Sequence, residues 1–266
     1  MSETSTATVS YRTDKGVAAI RLDRPAASNA LNLATKDELL HALTAAAADS
    51  GVRAVALTAA GKNFCVGQDL SEHVEALRAE PAHAMDTVRD HYNPIVTALH
   101  ALEVPVVVGI NGACVGAGLG LALAGDIRIA GTKAKLGTAF TGIGLAADTA
   151  LSASLPRLIG ASRATAMFLL GDTIDAATAH TWGLIHHVVE DDTVADATID
   201  LAARLAAGPT AAFKEVKALL VDNATAPLHN VLSREAGAQQ RLGASTDHAA
   251  AVEAFLAKTR PVFLGY

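Results

Sequence analysis

From Val104 to Gly125 the chain runs for 22 residues without a charged side chain (VPVVVGINGACVGAGLGLALAG). That exceeds the ~18 apolar residues that mark a candidate membrane span. Three features oppose a span. Pro105, Asn111 and the glycines at 109, 112, 116, 118 and 120 make a poor continuous helix. Glu103 and Asp126 bracket the run, with no aromatic belt and no strong basic flank. The run also divides into a strand (Pro105–Ile110), a Gly-rich turn and a helix of small residues. The reading is a buried βα unit rather than a membrane segment.

The rest of the chain supports a large folded core. Hydrophobic residues make up 51% of the 266 and charged residues 18%, which excludes disorder. Aromatics are only 4%, so Ala, Val, Leu and Ile must build the interior. Thr8–Arg12 and Val17–Asp23 read as strands around an Asp14-Lys15-Gly16 turn. Thr35 with Glu38 has the pattern of a capping box near the start of a helix running to about Asp49. Arg53–Thr58 is a buried strand, and Asp126–Ala130 is another. Strands and helices in this order favour α/β with stacked β-β-α turns. Beyond about Ala195 the pattern becomes helical, with Gly208-Pro209 and Ala226-Pro227 as breakers. We therefore expect a core over 1–194 and a helical subdomain over 195–266, its Ala-rich helices suited to packing on another surface such as another subunit.

Charge and cysteines narrow the class. A net charge of −6 argues against nonspecific nucleic-acid binding. Two cysteines, Cys65 and Cys114, without a CxxC pair, predict neither a disulfide framework nor a structural metal site. The opening MSETSTATVS lacks a basic region followed by an apolar one, so a signal peptide is not expected and the cytoplasm is the expected compartment.

Two glycine-containing segments are candidates to carry chemistry. One is Gly61–Leu70 (GKNFCVGQDL), just after a strand; the other is Asn111–Gly120 (NGACVGAGLG), between a strand and a small-residue helix. Exposed N–H groups at such turns favour negative charge. Two turns facing each other can donate two N–H groups to one oxygen, forming an oxyanion hole. Alternatively, the glycines only shape turns. The spacing Gly116-x-Gly118-x-Gly120 is not the dinucleotide fingerprint, and no P-loop, GxSxG or HExxH pattern is present.

The ordered set of motifs resembles the crotonase (enoyl-CoA hydratase/isomerase) superfamily. It comprises Leu22-Asp23-Arg24-Pro25, Ser28-Asn29-Ala30-Leu31-Asn32, Arg53–Thr58, Asn63–Leu70, Pro105–Asp126, Trp182-Gly183-Leu184, Val188-Val189 and Phe255–Pro261. The resemblance covers nearly the whole chain. It implies a spiral of β-β-α turns with a helical C-terminal part, assembled as a homotrimer or dimer of trimers. It implies an acyl-CoA thioester substrate, with coenzyme A as part of that substrate and no separate cofactor. Its oxyanion donors would be the backbone N–H groups of Gln68 and Ala117. Ala26, Ala27, Ser28 and Ala30 would lie along the CoA nucleotide. Lys258 or Arg260 would meet its phosphates. Cys65, Gly67, Asp69, Leu70, Gly116 and Phe140 would also lie along the bound substrate.

The resemblance also separates members. Hydratases of this family place a water with two glutamates; the matching positions here are Gly120 and Phe140. Neither moves a proton, so two-glutamate hydration is not expected. Asp148, in Gly144–Thr149, matches the acid/base aspartate of epoxyphenylacetyl-CoA and related enoyl-CoA isomerases. In 4-chlorobenzoyl-CoA dehalogenases the matching aspartate is a nucleophile, but those carry a tryptophan where Phe140 stands. Taken alone, Asp148 serves equally well as the cap of a helix over Ala150–Leu158. The favoured reading is an isomerase working through Asp148. Two others stay open: a hydratase with a different acid/base set, and an acyl-CoA-binding protein without chemistry. Asp69 and Asp126 read as holders of loops and helix ends, Trp182 as core, and His186-His187 as poor co-ligands on opposite strand faces.

Overall fold

Lys15 and Gly16 both have positive φ, 46° and 81°, as a two-residue hairpin turn requires. In the computed structural model, which describes residues 7–266, they join β1 (Val9–Asp14) to β2 (Val17–Leu22). The pair is antiparallel, with Val9 opposite Leu22 and Asp14 opposite Val17. The next helix, α1 (Leu33–Ala48), is capped by Asn32, whose side chain accepts from the Thr35 N–H at 3.0 Å. The expected Thr35/Glu38 capping box does not form. Glu38 instead reaches across to β1 and accepts from the Thr8 and Val9 N–H groups at 2.7 and 2.8 Å.

β3 (Ala54–Ala59), α2 (Leu70–Ala79) and α3 (Asn93–Ala101) follow, then β4 (Val106–Ile110). The uncharged run is thus a buried strand and more. After β4 it makes a short strand, β5 (Ala113–Val115), and the small-residue helix α4 (Ala117–Leu123). Then come β6 (Ile127–Gly131), β7 (Lys135–Gly137), α5 (Leu151–Ile159) and α6 (Ala161–Leu170). β8 (Ile174–Asp175), α7 (Ala176–Thr181) and β9 (His187–Val189) complete the strands. The chain ends in α8 (Val194–Ala206), α9 (Thr210–Asp222), α10 (Leu228–Gly243) and α11 (Thr246–Ala257). Among the described residues no helix is long and apolar enough to cross a membrane.

The six-stranded sheet runs β1-β2-β3-β4-β6-β9 and is parallel after the first pair. A second sheet, β5-β7-β8, stands apart from it. Alternation along β3 and β4 sorts side chains to two faces. Val55, Leu57, Val106, Val108 and Ile110 join the large core with Leu39 and Leu43 of α1. Ala54, Ala56 and Val107 face the other way, against Ala202 and Ala206 of α8. Small residues on that face let α8 pack tightly on the sheet. This aromatic-poor core places the mouths of β3 and β4, and the turns that follow them, side by side.

Candidate active site

The first turn, after β3, is anchored at both ends. Leu31 donates its N–H to the Gly67 carbonyl at 2.8 Å and accepts from the Asp69 N–H at 3.3 Å. Leu31 and Gln68 thereby form a parallel bridge, and the Gln68 N–H faces away from Leu31. Asp69 then caps α2 through the Ser71 and Glu72 N–H groups and pairs with Arg24 at 3.0 Å. These contacts hold the Asp69 carboxyl below the usual carboxylate range against its burial.

The second turn is stitched to the first. Cys65 and Cys114 form a parallel bridge, with Cys65 N–H on the Ala113 carbonyl and Val115 N–H on the Cys65 carbonyl, 3.1 and 3.0 Å. Ala117 opens α4, so its N–H has no partner within the helix. Neither the Gln68 nor the Ala117 N–H donates to a protein acceptor among the described residues. An ideal Cβ on Gly67 would sit 3.4 Å from the Ala117 nitrogen, which measures how close the turns come. Gly118 makes that approach possible: a Cβ there would press on Cys65, at 2.8 Å from its Cβ. Both thiols are fully buried, and burial pushes Cys65 up to about 12 and Cys114 well above its ordinary value. They are packing groups rather than nucleophiles.

A cavity of about 480 Å³ opens against these turns. Phe140, Leu145 and Asp148 line it as well. Asp148 is half-buried, and its Oδ1 has no hydrogen-bond partner. Burial raises its pKa, against smaller downward pulls from the Thr149 hydroxyl and its own main chain. The neighbouring Thr149 hydroxyl is also buried without a partner in hydrogen-bond geometry. Thr149 and Ala150 both sit at positive φ, 50° and 59°, a conformation that is costly for a β-branched residue. Ala150 is the N-cap of α5, with no side-chain cap. The Asp148 carboxylate is therefore not spent on capping, and Asp148 lines the cavity.

The floor beside Gln68 is polar. Tyr92, 1% exposed, donates its hydroxyl to Gln68 Oε1. Lys36, on α1 and 3% exposed, places Nζ 2.8 Å from Thr87 Oγ1 and 3.5 Å from Gln68 Oε1. Its nearest carboxylate is Glu72 at 3.8 Å.

Two residues with unpartnered N–H donors and a carboxyl that line one cavity can hold a developing negative charge and move a proton. The comparisons agree on the family. The enoyl-CoA hydratase/isomerase family profile matches residues 12–265. The chain belongs to that family. A 1,2-epoxyphenylacetyl-CoA isomerase of Escherichia coli is 39% identical over 253 residues, 95% of this chain and 96% of the relative. A Rhodobacter capsulatus protein named as an enoyl-CoA hydratase is 40% identical, over 97% of this chain and 98% of that one. A crystal structure from Mycobacterium abscessus, described as an enoyl-CoA hydratase/isomerase, superposes with a TM-score of 0.96 at 73% identity, covering 97% and 100% of the two chains. The chain is thus a crotonase-fold enzyme of a family that acts on acyl-CoA thioesters.

Within this crotonase site, the cavity wall brings together Ala27, Ala30, Gly67, Gln68, Asp69, Leu70, Gly116, Ala117, Phe140 and Asp148. Ala26 and Ser28 lie in the adjoining single turn, off the wall; Cys65 is buried outside the lining; Lys258 terminates α11. Gly120, where hydratases of this family carry a glutamate, has no room for a side chain. A Cβ there would overlap the Thr149 hydroxyl and Cβ, and stand 3.0 Å from its carbonyl. The segment bearing Asp148 thus fills the place of the missing glutamate. Sequence reasoning missed Lys36. The nearest signal was a lysine in the first turns of a helix, which normally reads as solvated.

Proposed function

We propose that this enzyme catalyses double-bond or epoxide isomerisation of an enoyl- or arylacetyl-CoA, with Asp148 as acid and base. The carrying observation is that Asp148, with its buried Oδ1 unpartnered, lines the same cavity as Gln68 and Ala117, whose N–H groups are free. For a 3-enoyl thioester the steps balance without a co-reactant. The Asp148 carboxylate takes a proton from C2, and the bonding pair moves into the thioester oxygen as a dienolate. The Gln68 and Ala117 N–H groups hold that oxygen; one such donor is typically worth roughly 3–4 kcal/mol. The Asp148 carboxylic acid then returns the proton to C4, and the double bond settles between C2 and C3. A buried carboxyl with a raised pKa suits both halves of this exchange. The coenzyme A portion belongs to the substrate, and Ala27 and Ala30 lie on the wall along which it would run.

A second reading has its own support. The Rhodobacter capsulatus relative is named as a hydratase, which favours a hydratase with a different acid/base set. The lack of space at Gly120 keeps a glutamate there out of that set. Three assays on wild type and Asp148→Asn separate the readings: crotonyl-CoA hydration, 3-enoyl to 2-enoyl isomerisation, and α-deuterium exchange. Isomerisation lost in Asp148→Asn is the expected result. Isomerisation that survives the change overturns the assignment, and robust hydration independent of Asp148 favours a different acid/base set. Acyl-CoA binding without turnover or exchange favours a binding protein. The same reading carries a homotrimer or dimer of trimers, with exposed Leu220, Leu228, Leu232 and Phe255 on the C-terminal helices as contact residues; light scattering gives the mass that checks it.

A further inference from the structure

Lys36 is the most costly side chain near the site. A lysine at 3% exposure needs pairing to remain charged, yet its one carboxylate within ion-pair distance, Glu72, is at 3.8 Å and 36% exposed. Glu72 is also occupied, accepting from the Leu33 N–H through both oxygens at 2.9 Å. The ammonium points instead to Thr87 Oγ1 and Gln68 Oε1, and lies 5.5 Å from the centre of the Tyr92 ring. An ammonium only donates hydrogen bonds, so the Gln68 atom facing it is the oxygen, and Tyr92 must donate to that same oxygen. Gln68 therefore cannot turn its amide without stranding two buried donors.

This closes a ring around the oxyanion turn. Leu31 holds the Gly67 and Asp69 main chain on one side. Asn32 starts α1 directly after Leu31, and Lys36 stands on the first turns of that helix. Its Nζ then returns to the Gln68 side chain. We propose that Lys36 is a positioning residue for the oxyanion donor: with Tyr92 it fixes the Gln68 side chain, hence the Gln68 N–H, and it sets a positive charge behind the turn that receives the enolate. The proposal rests on the oxyanion reading above and adds to it a residue that touches neither substrate nor reacting atom.

The physics separates this role from a structural one. Removing one member of a buried ion pair is costly when the other charge is left buried and unpaired, but Glu72 is partly exposed and keeps the Leu33 N–H, and Gln68 Oε1 keeps the Tyr92 hydroxyl. Lys36→Met therefore melts at the wild-type temperature or above it, with lower activity. A purely structural lysine gives the opposite pair: lower melting temperature, unchanged kcat. The pH profile provides a second readout. Burial lowers the Lys36 pKa, against upward pulls from Glu72 on α2, Asp37 on its own helix and Asp69 on the turn. Tyr92 faces it with a pKa raised by burial and by nearby acidic groups, and His91 lies beyond Thr87. The wild-type rate then falls as pH rises through the Lys36 pKa, and Lys36→Met lacks that limb.

The test binds crotonyl-CoA carrying carbon-13 at its carbonyl to wild type, Lys36→Met and Tyr92→Phe, and reads the carbonyl stretch by isotope-difference infrared. Butyryl-CoA α-deuterium exchange is measured on the same proteins. The wild-type stretch moves down on binding. Lys36→Met loses much of that shift and exchanges ~10- to 100-fold more slowly with KM little changed. Tyr92→Phe, which removes one donor from the same oxygen, shows a smaller loss in both and carries the test if Lys36→Met fails to fold. A full shift and full exchange rate in the variants overturn the role of Lys36 and leave the oxyanion hole standing. No shift in wild type overturns both.

Discussion

The two walls of the cavity are built in opposite ways. The wall of Gln68 and Ala117 is main chain, clamped by the Leu31–Gln68 and Cys65–Cys114 bridges. The other wall depends on one side chain, Asp148, on a segment whose next two residues sit at positive φ and where two buried oxygens lack partners. The tight wall is suited to stabilising a charge that appears in the same place every time. The strained wall leaves a carboxyl under-solvated, which is what a group that must take and return a proton needs. The proposed mechanism divides pre-organisation and proton transfer between backbone and side chain.

The largest expected effect comes from prying the tight wall open. Gly118→Val presses on the Cys65 main chain and pushes α4 from the first turn. Steady-state kinetics should show turnover falling ~10²- to 10³-fold, with a lower melting temperature. Retained turnover would mean that the N–H pair is not what drives the reaction. A smaller effect comes from asking one wall to do the other's work. Gly120→Glu restores the family's hydratase carboxyl but displaces Thr149, and with it Asp148. Isomerisation should fall ~10²-fold with no gain in crotonyl-CoA hydration; hydration gained without loss of isomerisation breaks the division proposed here.

The pH dependence tests the strained wall alone. Asp148 must be ionised to act as base, so kcat/KM should fall as pH drops through its pKa, above the ~3.9 of an ordinary aspartate. The stability sign runs the other way. A carboxyl whose pKa is raised by folding stabilises the fold below its unfolded pKa and loses that contribution as pH rises through the folded pKa. Asp148→Asn should therefore melt at or above wild type at pH 7 while losing activity; a clear drop would show that the carboxylate is structural. The smallest effect lies under the tight wall. Asn32→Ala removes the α1 cap and should cost about 0.5–2 kcal/mol of stability in chemical denaturation, with little change in kcat.

The same contrast explains what was legible in the sequence. Gly67 and Gly116 stand out because their need for glycine is local, a positive φ at each turn. The uncharged run read correctly as strand, turn and helix. β5 within it was missed, since its partner, β7, lies about twenty residues on. Thr35 and Glu38 fit a capping box by pattern, yet Glu38 is taken by β1, a partner 30 residues away. Asp148 was open between cap and catalyst on local grounds, and the position of Ala150 at the cap removes the first of these. Lys36 was invisible because its burial depends on the Thr87–Tyr92 segment folding over it.

The most direct test of the central claim follows the proton itself. A 3-enoyl-CoA deuterated at C2 is isomerised in ordinary water, and the product is examined for deuterium at C4. The account predicts that wild type carries part of the label from C2 to C4 through the Asp148 carboxyl, and that Asp148→Asn binds the substrate but forms neither labelled nor unlabelled product at a comparable rate. Product formed by Asp148→Asn at the wild-type rate, with the same label at C4, would contradict it.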